Sequence, residues 1–174
     1  MPTPTTIMID TLTLSTPVGK LCLLTNDTEG TVVAAGFAPL SNMWDRLTAM
    51  SGTQHLALGQ TTSNSSAGEA INAYFDGDTT LLDQIKVRQP GTEFQQLVWD
   101  ALRAIPAGQT RTYGQLAEAI GRPKAVRAVG SACGRNLVAP IVFCHRAIRS
   151  DGSMGGYYYG LEIKKSLLAH ESEG

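Results

Sequence analysis

Residues Thr112–Gly134 read TYGQLAEAIGRPKAVRAVGSACG, and the fold turns on this stretch. Thr112 supplies an N-cap oxygen, Leu116, Ala117 and Ile120 recur at helical spacing, and Gly121 ends the run. Pro123 then opens a second short helix carrying Val126, Val129 and Ala132, closed by Gly134. Two short helices joined by a Gly-containing turn and studded with Arg and Lys predict a helix-turn-helix. Many helical hairpins with this spacing bind nothing, so the pattern alone does not assign a partner.

Toward the N-terminus, Thr92 caps a strongly amphipathic helix in which Phe94, Leu97, Val98, Ala101, Leu102 and Ile105 share one face, stopped at Pro106-Ala-Gly108. Gln89-Pro-Gly-Thr92 breaks the preceding pattern and predicts a boundary. A small N-terminal α/β domain is expected over 1–90 and a mainly helical domain over 91–174, an α/β chain of the α+β kind. Within the first, residues 10–37 read as an antiparallel meander, with turns at Thr16-Pro-Val-Gly19 and Asn26–Gly30. Ser41 to Met50 predicts a short helix, and the polar, weakly periodic residues 51–64 predict a loop. Ser66 and Glu69 predict a capping box on a helix ending at Gly77, and Leu82 to Arg88 predicts a strand. Ile141-Val142-Phe143 predicts a brief buried strand, and Leu161 to His170 a last helix with Lys164 and Leu168 on one face.

The 174 residues include 14 Lys+Arg and 15 Asp+Glu. That near-neutral average disfavours a polyanionic partner, but it hides a gradient. Residues 1–93 carry a net −5 and residues 94–174 a net +4. Arg111, Arg122, Lys124, Arg127, Arg135, Arg146 and Arg149 face Glu118 alone in residues 111–149. A basic stripe of this kind fits phosphates as well as it fits a solvated face. No apolar run is long enough to span a bilayer, and no basic and apolar leader opens the chain, so a cytoplasmic location without membrane contact is expected. The three cysteines and three histidines show no metal-ligand spacing.

Cys144-His145-Arg146 follows an apolar run and precedes a Gly-rich loop, a common setting for a positioned nucleophile. An imidazole can take the thiol proton, a neighbouring Arg can lower the thiol pKa, and a carboxylate such as Glu171 can orient the imidazole. The bland reading of Cys144 is a buried small hydrophobe. A Cys-His-Glu hydrolase, a thiol-dependent transferase and a nucleic-acid module with an incidental cysteine all remain open on this chemistry.

The ordered motifs Gly91-Thr-Glu-Phe-Gln-Gln-Leu-Val-Trp99, Ala104-Ile-Pro106, Thr112-Tyr-Gly-Gln-Leu-Ala117, Arg122-Pro-Lys-Ala-Val-Arg-Ala-Val-Gly130, Asn136, Cys144-His-Arg146 and Leu167-Leu-Ala-His-Glu171 resemble the C-terminal domain of the O6-alkylguanine-DNA alkyltransferases, also called methylated-DNA–protein-cysteine methyltransferases. Thr16-Pro-Val-Gly19 and Ala73-Tyr-Phe-Asp-Gly77 extend a thinner resemblance over most of the chain. The resemblance implies single-turnover, irreversible transfer of an alkyl group from O6-alkylguanine, and possibly O4-alkylthymine, in double-stranded DNA to Cys144, with no cofactor and no metal. It implies His145 as the base acting through water, Glu171 as its orienting carboxylate, Tyr113 as hydrogen-bond partner of the leaving guanine, and Asn136 as a hinge. Arg127 would fill the stack vacated by a flipped nucleotide, while Ala125, Ala128 and Gly130 would let a helix approach the minor groove. The carbonyls of Cys144 and Ala147 would accept the exocyclic amine, and Tyr157, Tyr158 and Lys164 would close over the base. A protein that is monomeric off DNA is implied. An alkyltransferase-like protein that binds the lesion without transfer is the alternative, disfavoured by Cys144. Phe143, Leu137 and Pro140 depart from the family pattern.

Overall fold

The structure, a computed structural model, describes residues 5–26, 30–50, 52–63 and 65–172. Strands β1 (Ile7–Thr16), β2 (Gly19–Asn26) and β3 (Thr31–Gly36) form the expected meander, antiparallel throughout. Residues 27–29 of the second expected turn lie outside the described residues. Helix α1 (Leu40–Thr48) follows and buries Met43 and Leu47.

The expected loop over 51–64 instead contains β4 (Leu56–Thr61), which joins β1 in parallel and completes a sheet in the order β3-β2-β1-β4. Its side chains are half-buried or exposed without strict alternation, so it carries no period-two signal. Helix α2 (Ser66–Phe75) starts one residue earlier than the capping-box reading placed it: Ser65 is the N-cap, its hydroxyl accepting from Gly68 N at 3.0 Å. The segment expected as a strand over 82–88 is a 3₁₀ turn at Leu81–Gln84 followed by a single bridge, Val32 to Val87. Arg103 donates to the carbonyls of Leu82 (2.8 Å) and Ile85 (2.9 Å), satisfying acceptors that a ladder would otherwise use.

Helix α3 (Glu93–Arg103) carries the predicted cap in full: Thr92 accepts from Gln95 N, and the Gln95 side chain returns to Thr92 N. Strand β5 (Arg111–Thr112), helix α4 (Tyr113–Ala119) and helix α5 (Val126–Gly134) follow, with a second such box between Thr112 and Gln115. Pro123 lies in the connecting turn, not at the first position of α5, whose N-cap is Ala125. Ile141–Phe143 is buried but is not a strand. Local backbone bonds, Val142 N to Val138 O and Cys144 N to Val142 O (both 2.8 Å), satisfy it without a neighbouring strand. The chain then makes a 3₁₀ turn at Cys144–Arg146, strand β6 (Ala147–Ile148) parallel to β5, and helix α6 (Leu161–Ser172).

One core cluster runs from the inner face of the sheet (Leu12, Leu21, Leu23) through Ile71 and Tyr74 of α2 to Val98, Trp99 and Leu102 of α3 and Leu167 of α6. It continues across residue 90 without interruption, and the bridges of β3 to Val87 and Val138 tie both halves of the chain to one strand. Trp99, buried in this core, donates its indole N–H to Ala132 O at 2.9 Å and so fixes α5 against α3. Among the described residues, no helix is long and apolar enough to cross a membrane.

Candidate active site

The β5–β6 pairing sets Arg111 beside Ala147 and Thr112 beside Ile148, which brings the start of α4 next to the Cys144 turn. A cavity of about 230 Å³ opens there, lined by Tyr113, Gly130, Cys133, Gly134, Asn136, Cys144, Gly156, Tyr157, Tyr158 and Tyr159. Seven of the residues singled out from sequence therefore meet at one place: Cys144, Asn136, Tyr113, Gly130, Tyr157 and Tyr158 on its wall, and His145 in the same turn as Cys144. Arg127 and Ala128 stand exposed on α5, Ala125 caps that helix, and Ala147, Lys164 and Glu171 lie behind the cavity in the protein interior.

Asn136 is a four-way clamp. Its Nδ2 donates to Val142 O (3.1 Å) and reaches the Cys144 sulfur (3.2 Å), while its Oδ1 accepts from Val138 N (3.0 Å) and from Gln89 Nε2 (2.9 Å). Gln89 Oε1 in turn accepts from Leu137 N at 2.8 Å, so the residue read from sequence as part of a breaker is a buried brace for the nucleophile. Burial pushes the Cys144 thiol pKa up, and the Asn136 hydrogen bond and the Lys164 charge oppose this only in part. Cys144 is thus a protonated thiol at rest and needs a base to become a nucleophile.

Arg146 does not supply the activation expected of it. Its Nε and Nη2 donate to Glu171 Oε1 and Oε2 (both 2.9 Å), its Nη1 to Ile105 O, and its guanidinium lies 3.6 Å from the centroid of the Phe143 ring. It is 1% exposed, so it also drops out of the basic stripe. A guanidinium is buried at this depth only with a carboxylate and full hydrogen bonding to offset its desolvation. Phe143, the departure next to the nucleophile, seats its ring under that cation and is not on the cavity wall.

Glu171 Oε2 meets His145 Nε2 at 2.7 Å, with both side chains fully buried. Burial alone would raise the Glu171 pKa, but His145 and Arg146 outweigh it and hold the carboxyl at about 2. Burial lowers the His145 pKa against the pull of Glu171, leaving the imidazole neutral. An ionised carboxylate on Nε2 fixes the proton there, so Nδ1 carries the lone pair. Nδ1 is buried and has no hydrogen-bond partner among the described residues.

The loop over the cavity is held from two sides. The Lys164 ammonium donates to the carbonyls of Ala147 (2.7 Å), Gly156 (3.2 Å) and Met154. Lys164 therefore anchors the loop to the Ala147 strand through backbone acceptors, and Ala147 O has one of its two lone pairs engaged. Gly155, at φ 69°, runs against Tyr113: a Cβ there would stand 2.6 Å from the phenol oxygen. From the other side, Arg46 of α1 donates to Tyr159 Oη (2.8 Å) and lies 3.7 Å from the Tyr158 ring centroid.

Comparison with known proteins places this geometry. Residues 93–173 match the family described as 6-O-methylguanine DNA methyltransferase, DNA binding domain. A methylated-DNA–protein-cysteine methyltransferase of Mycolicibacterium paratuberculosis is 40% identical over 168 residues, 94% of this chain and 93% of that protein. The chain belongs to the methylated-DNA–protein-cysteine methyltransferase family. Among solved members, the Mycobacterium tuberculosis O6-methylguanine methyltransferase superposes with a TM-score of 0.75 at 34% identity, covering 95% of this chain and 94% of that one. The same organism's enzyme in complex with DNA gives 0.74 at 33% identity over 94% and 93%. The family resemblance drawn from the 92–174 motifs thus holds over nearly the whole chain.

Sequence reasoning missed Tyr74, Gln89, Arg46 and Cys133. Tyr74 read as one more apolar position at helical spacing and Gln89 as part of a breaker, while Arg46 entered only as one of the basic residues in the net charge of 1–93. Cys133, like Tyr74, carried a local signal for packing alone.

Proposed function

We propose that this protein repairs DNA by direct reversal, moving the alkyl group of O6-alkylguanine onto Cys144 in a single irreversible turnover. The observation that carries the proposal is the neutral, buried His145, its Nε2 proton committed to the Glu171 carboxylate and its Nδ1 lone pair without a partner among the described residues, in the turn that presents a protonated Cys144 to the cavity. In the reaction, the Cys144 S–H proton passes to His145 Nδ1 through water. The thiolate forms a bond to the alkyl carbon as the carbon–O6 bond breaks in line, and the guanine leaves with the electron pair. Tyr113, a cavity-lining phenol kept protonated by burial, hydrogen-bonds the departing base. A general base of this kind contributes roughly 10²–10⁴ in rate. The thiol is itself the acceptor in a redox-neutral displacement, so the step calls for no cofactor, and the thioether product has no route back.

Double-stranded DNA is the partner that fits. Arg122, Lys124, Arg127, Arg135 and Arg149 are exposed around α4 and α5, which we read as a helix-turn-helix. The cavity lies behind that surface and the sulfur at its inner wall is buried, so a guanine must leave the duplex to react. Arg127 is placed to take its position in the stack, with Ala128 and Gly130 small enough for close approach to the minor groove. Residues 1–90 act as the supporting unit and 91–174 as the reacting one, and the protein works as a monomer off DNA.

The primary test is mass spectrometry of the Cys144 peptide after exposure to O6-methylguanine DNA, where one added methyl per molecule is expected. An unmodified Cys144 with the DNA still bound would convert the reading to lesion recognition without transfer. For the flipping step, Arg127→Ala should slow reaction with duplex DNA about 10- to 100-fold, as loss of an offset to unstacking worth a few kcal/mol requires, and leave reaction with the free base O6-methylguanine nearly unchanged. Equal losses on the two substrates would remove Arg127 from the flipping role.

A further inference from the structure

Tyr74 sits in α2, far from the reacting thiol in sequence, and its side chain is fully buried. Its phenol donates to Glu171 Oε2 at 2.7 Å across a separation of 97 residues. That oxygen is the one that meets His145 Nε2 at 2.7 Å and Arg146 Nη2 at 2.9 Å. The Tyr74 ring is itself fixed, edge-on to Phe75 (4.9 Å between centroids) and to His170 (5.0 Å), and the His170 ring nitrogen contacts Tyr74 O at 2.6 Å. A phenylalanine would fill the same space and serve the same core. The hydroxyl is therefore a polar group buried beside a charge for a reason other than volume.

We propose that Tyr74 is a positioning residue for alkyl transfer, its phenol holding the Glu171 carboxylate in the orientation and charge balance that keep His145 a neutral base. The inference rests on the function proposed above. Three donors converge on one carboxylate oxygen, so each takes a share of its negative charge. With the phenol gone, that share returns to the His145 contact, the imidazolium is favoured and a larger fraction of His145 is protonated at a given pH. The charged groups around His145 are Glu171 and Lys164 from α6 and Arg146 from its own turn; Tyr157 from the loop is the other phenol that senses Glu171. A change at position 74 reaches His145 through Glu171, to which the phenol bonds directly, and leaves the Lys164 and Arg146 charges in place. The N-terminal half thus contributes directly to the tuning of the base, in addition to supporting the site.

The test is Tyr74→Phe, read by the pH profile of methyl transfer from O6-methylguanine DNA and by the imidazole titration of His145 by NMR in the free protein. The acid limb of the profile and the His145 titration should both move up by about one pH unit, slowing transfer about tenfold on that limb. Ile71→Val, which trims the core packing of the same helix, should lower stability and leave both curves in place. A Tyr74→Phe protein that is less stable but has unshifted curves would reduce Tyr74 to packing and overturn the proposal. Should that variant not fold, 3,5-difluorotyrosine at position 74, a stronger donor of the same shape, must move the titration down; no movement also overturns it. A wild-type protein that fails to methylate Cys144 would count against the function proposed above, and the His145 titration would still decide the role of Tyr74.

Discussion

Cys144→Ser is expected to abolish alkyl transfer altogether while leaving affinity for O6-methylguanine DNA within about twofold of wild type. The serine hydroxyl is isosteric enough for the Asn136 clamp, whose other three contacts go to Val142, Val138 and Gln89 and do not involve position 144. The hydroxyl proton, however, is bound far more tightly than that of a thiol, and the oxygen lacks the polarisable lone pairs that attack carbon. The exposed basic side chains proposed to meet DNA lie on α5 and its surroundings, away from this buried atom. Intact-protein mass spectrometry and fluorescence anisotropy on one preparation check both halves of the expectation. Methylation that persists in the variant, at Cys133 or elsewhere, would mean that the cavity houses a different acceptor. Burial raises the Cys133 thiol to about 12, which argues for its inertness.

Glu171→Gln carries the second large effect, on stability and rate together. The substitution leaves the Arg146 guanidinium, 1% exposed, without a countercharge. Breaking a buried pair from one side costs about 3–5 kcal/mol, or a fall in melting temperature of roughly 6–20 °C for a chain of this size. His145 simultaneously loses the carboxylate that fixes its tautomer, and transfer should slow by about 10²–10⁴. The pH dependence has a definite sign. A carboxyl whose folded pKa lies near 2, below its ordinary value of about 4.3, adds stability that is complete above that ordinary value and disappears as the pH falls through 2. Wild type should therefore lose stability between about pH 4.5 and 2, with Glu171→Gln flatter across that window. Denaturant titrations at several pH values measure this, and parallel curves for the two proteins would show that the carboxylate is not the linked group.

What was legible in the sequence was what neighbours in sequence determine. Thr92 and Thr112 announce two helix starts because an N-cap is written beside the turn it closes, and the structure completes each with a Gln three residues on. The β1–β2–β3 meander follows from short turns between apolar runs. Strand β4 escaped because its partner β1 lies some fifty residues away and its own exposure does not alternate. Cys144, His145 and Glu171 stood out first by residue chemistry and then by the family motifs, and the structure brings the last two into contact. Tyr74, Gln89 and Arg46 could not be reached in this way. Each acts on a residue between about 50 and 115 positions distant, and each occupies a place where its type is unremarkable locally. The thiol's state was also illegible: an adjacent Arg146 suggested activation, and only the direction of its side chain, toward Glu171, shows that the charge is spent elsewhere.

Gly36, at the end of β3, illustrates how far the loop over the cavity extends its demands. A Cβ at this position would run into the Tyr159 hydroxyl and stand 2.5 Å from the ring carbon that bears it and 2.9 Å from the Met43 sulfur. The same hydroxyl receives the Arg46 hydrogen bond. Residues 36 and 159 should therefore have covaried during descent, a larger side chain at one accompanied by a smaller one at the other. An alignment of close relatives in which Ala or Ser at 36 coexists freely with Tyr at 159 would contradict that coupling. If it holds, the sheet and the lid of this protein have been selected as a single unit, and grafting a lid from one relative onto the sheet of another will succeed only when residue 36 is exchanged with it.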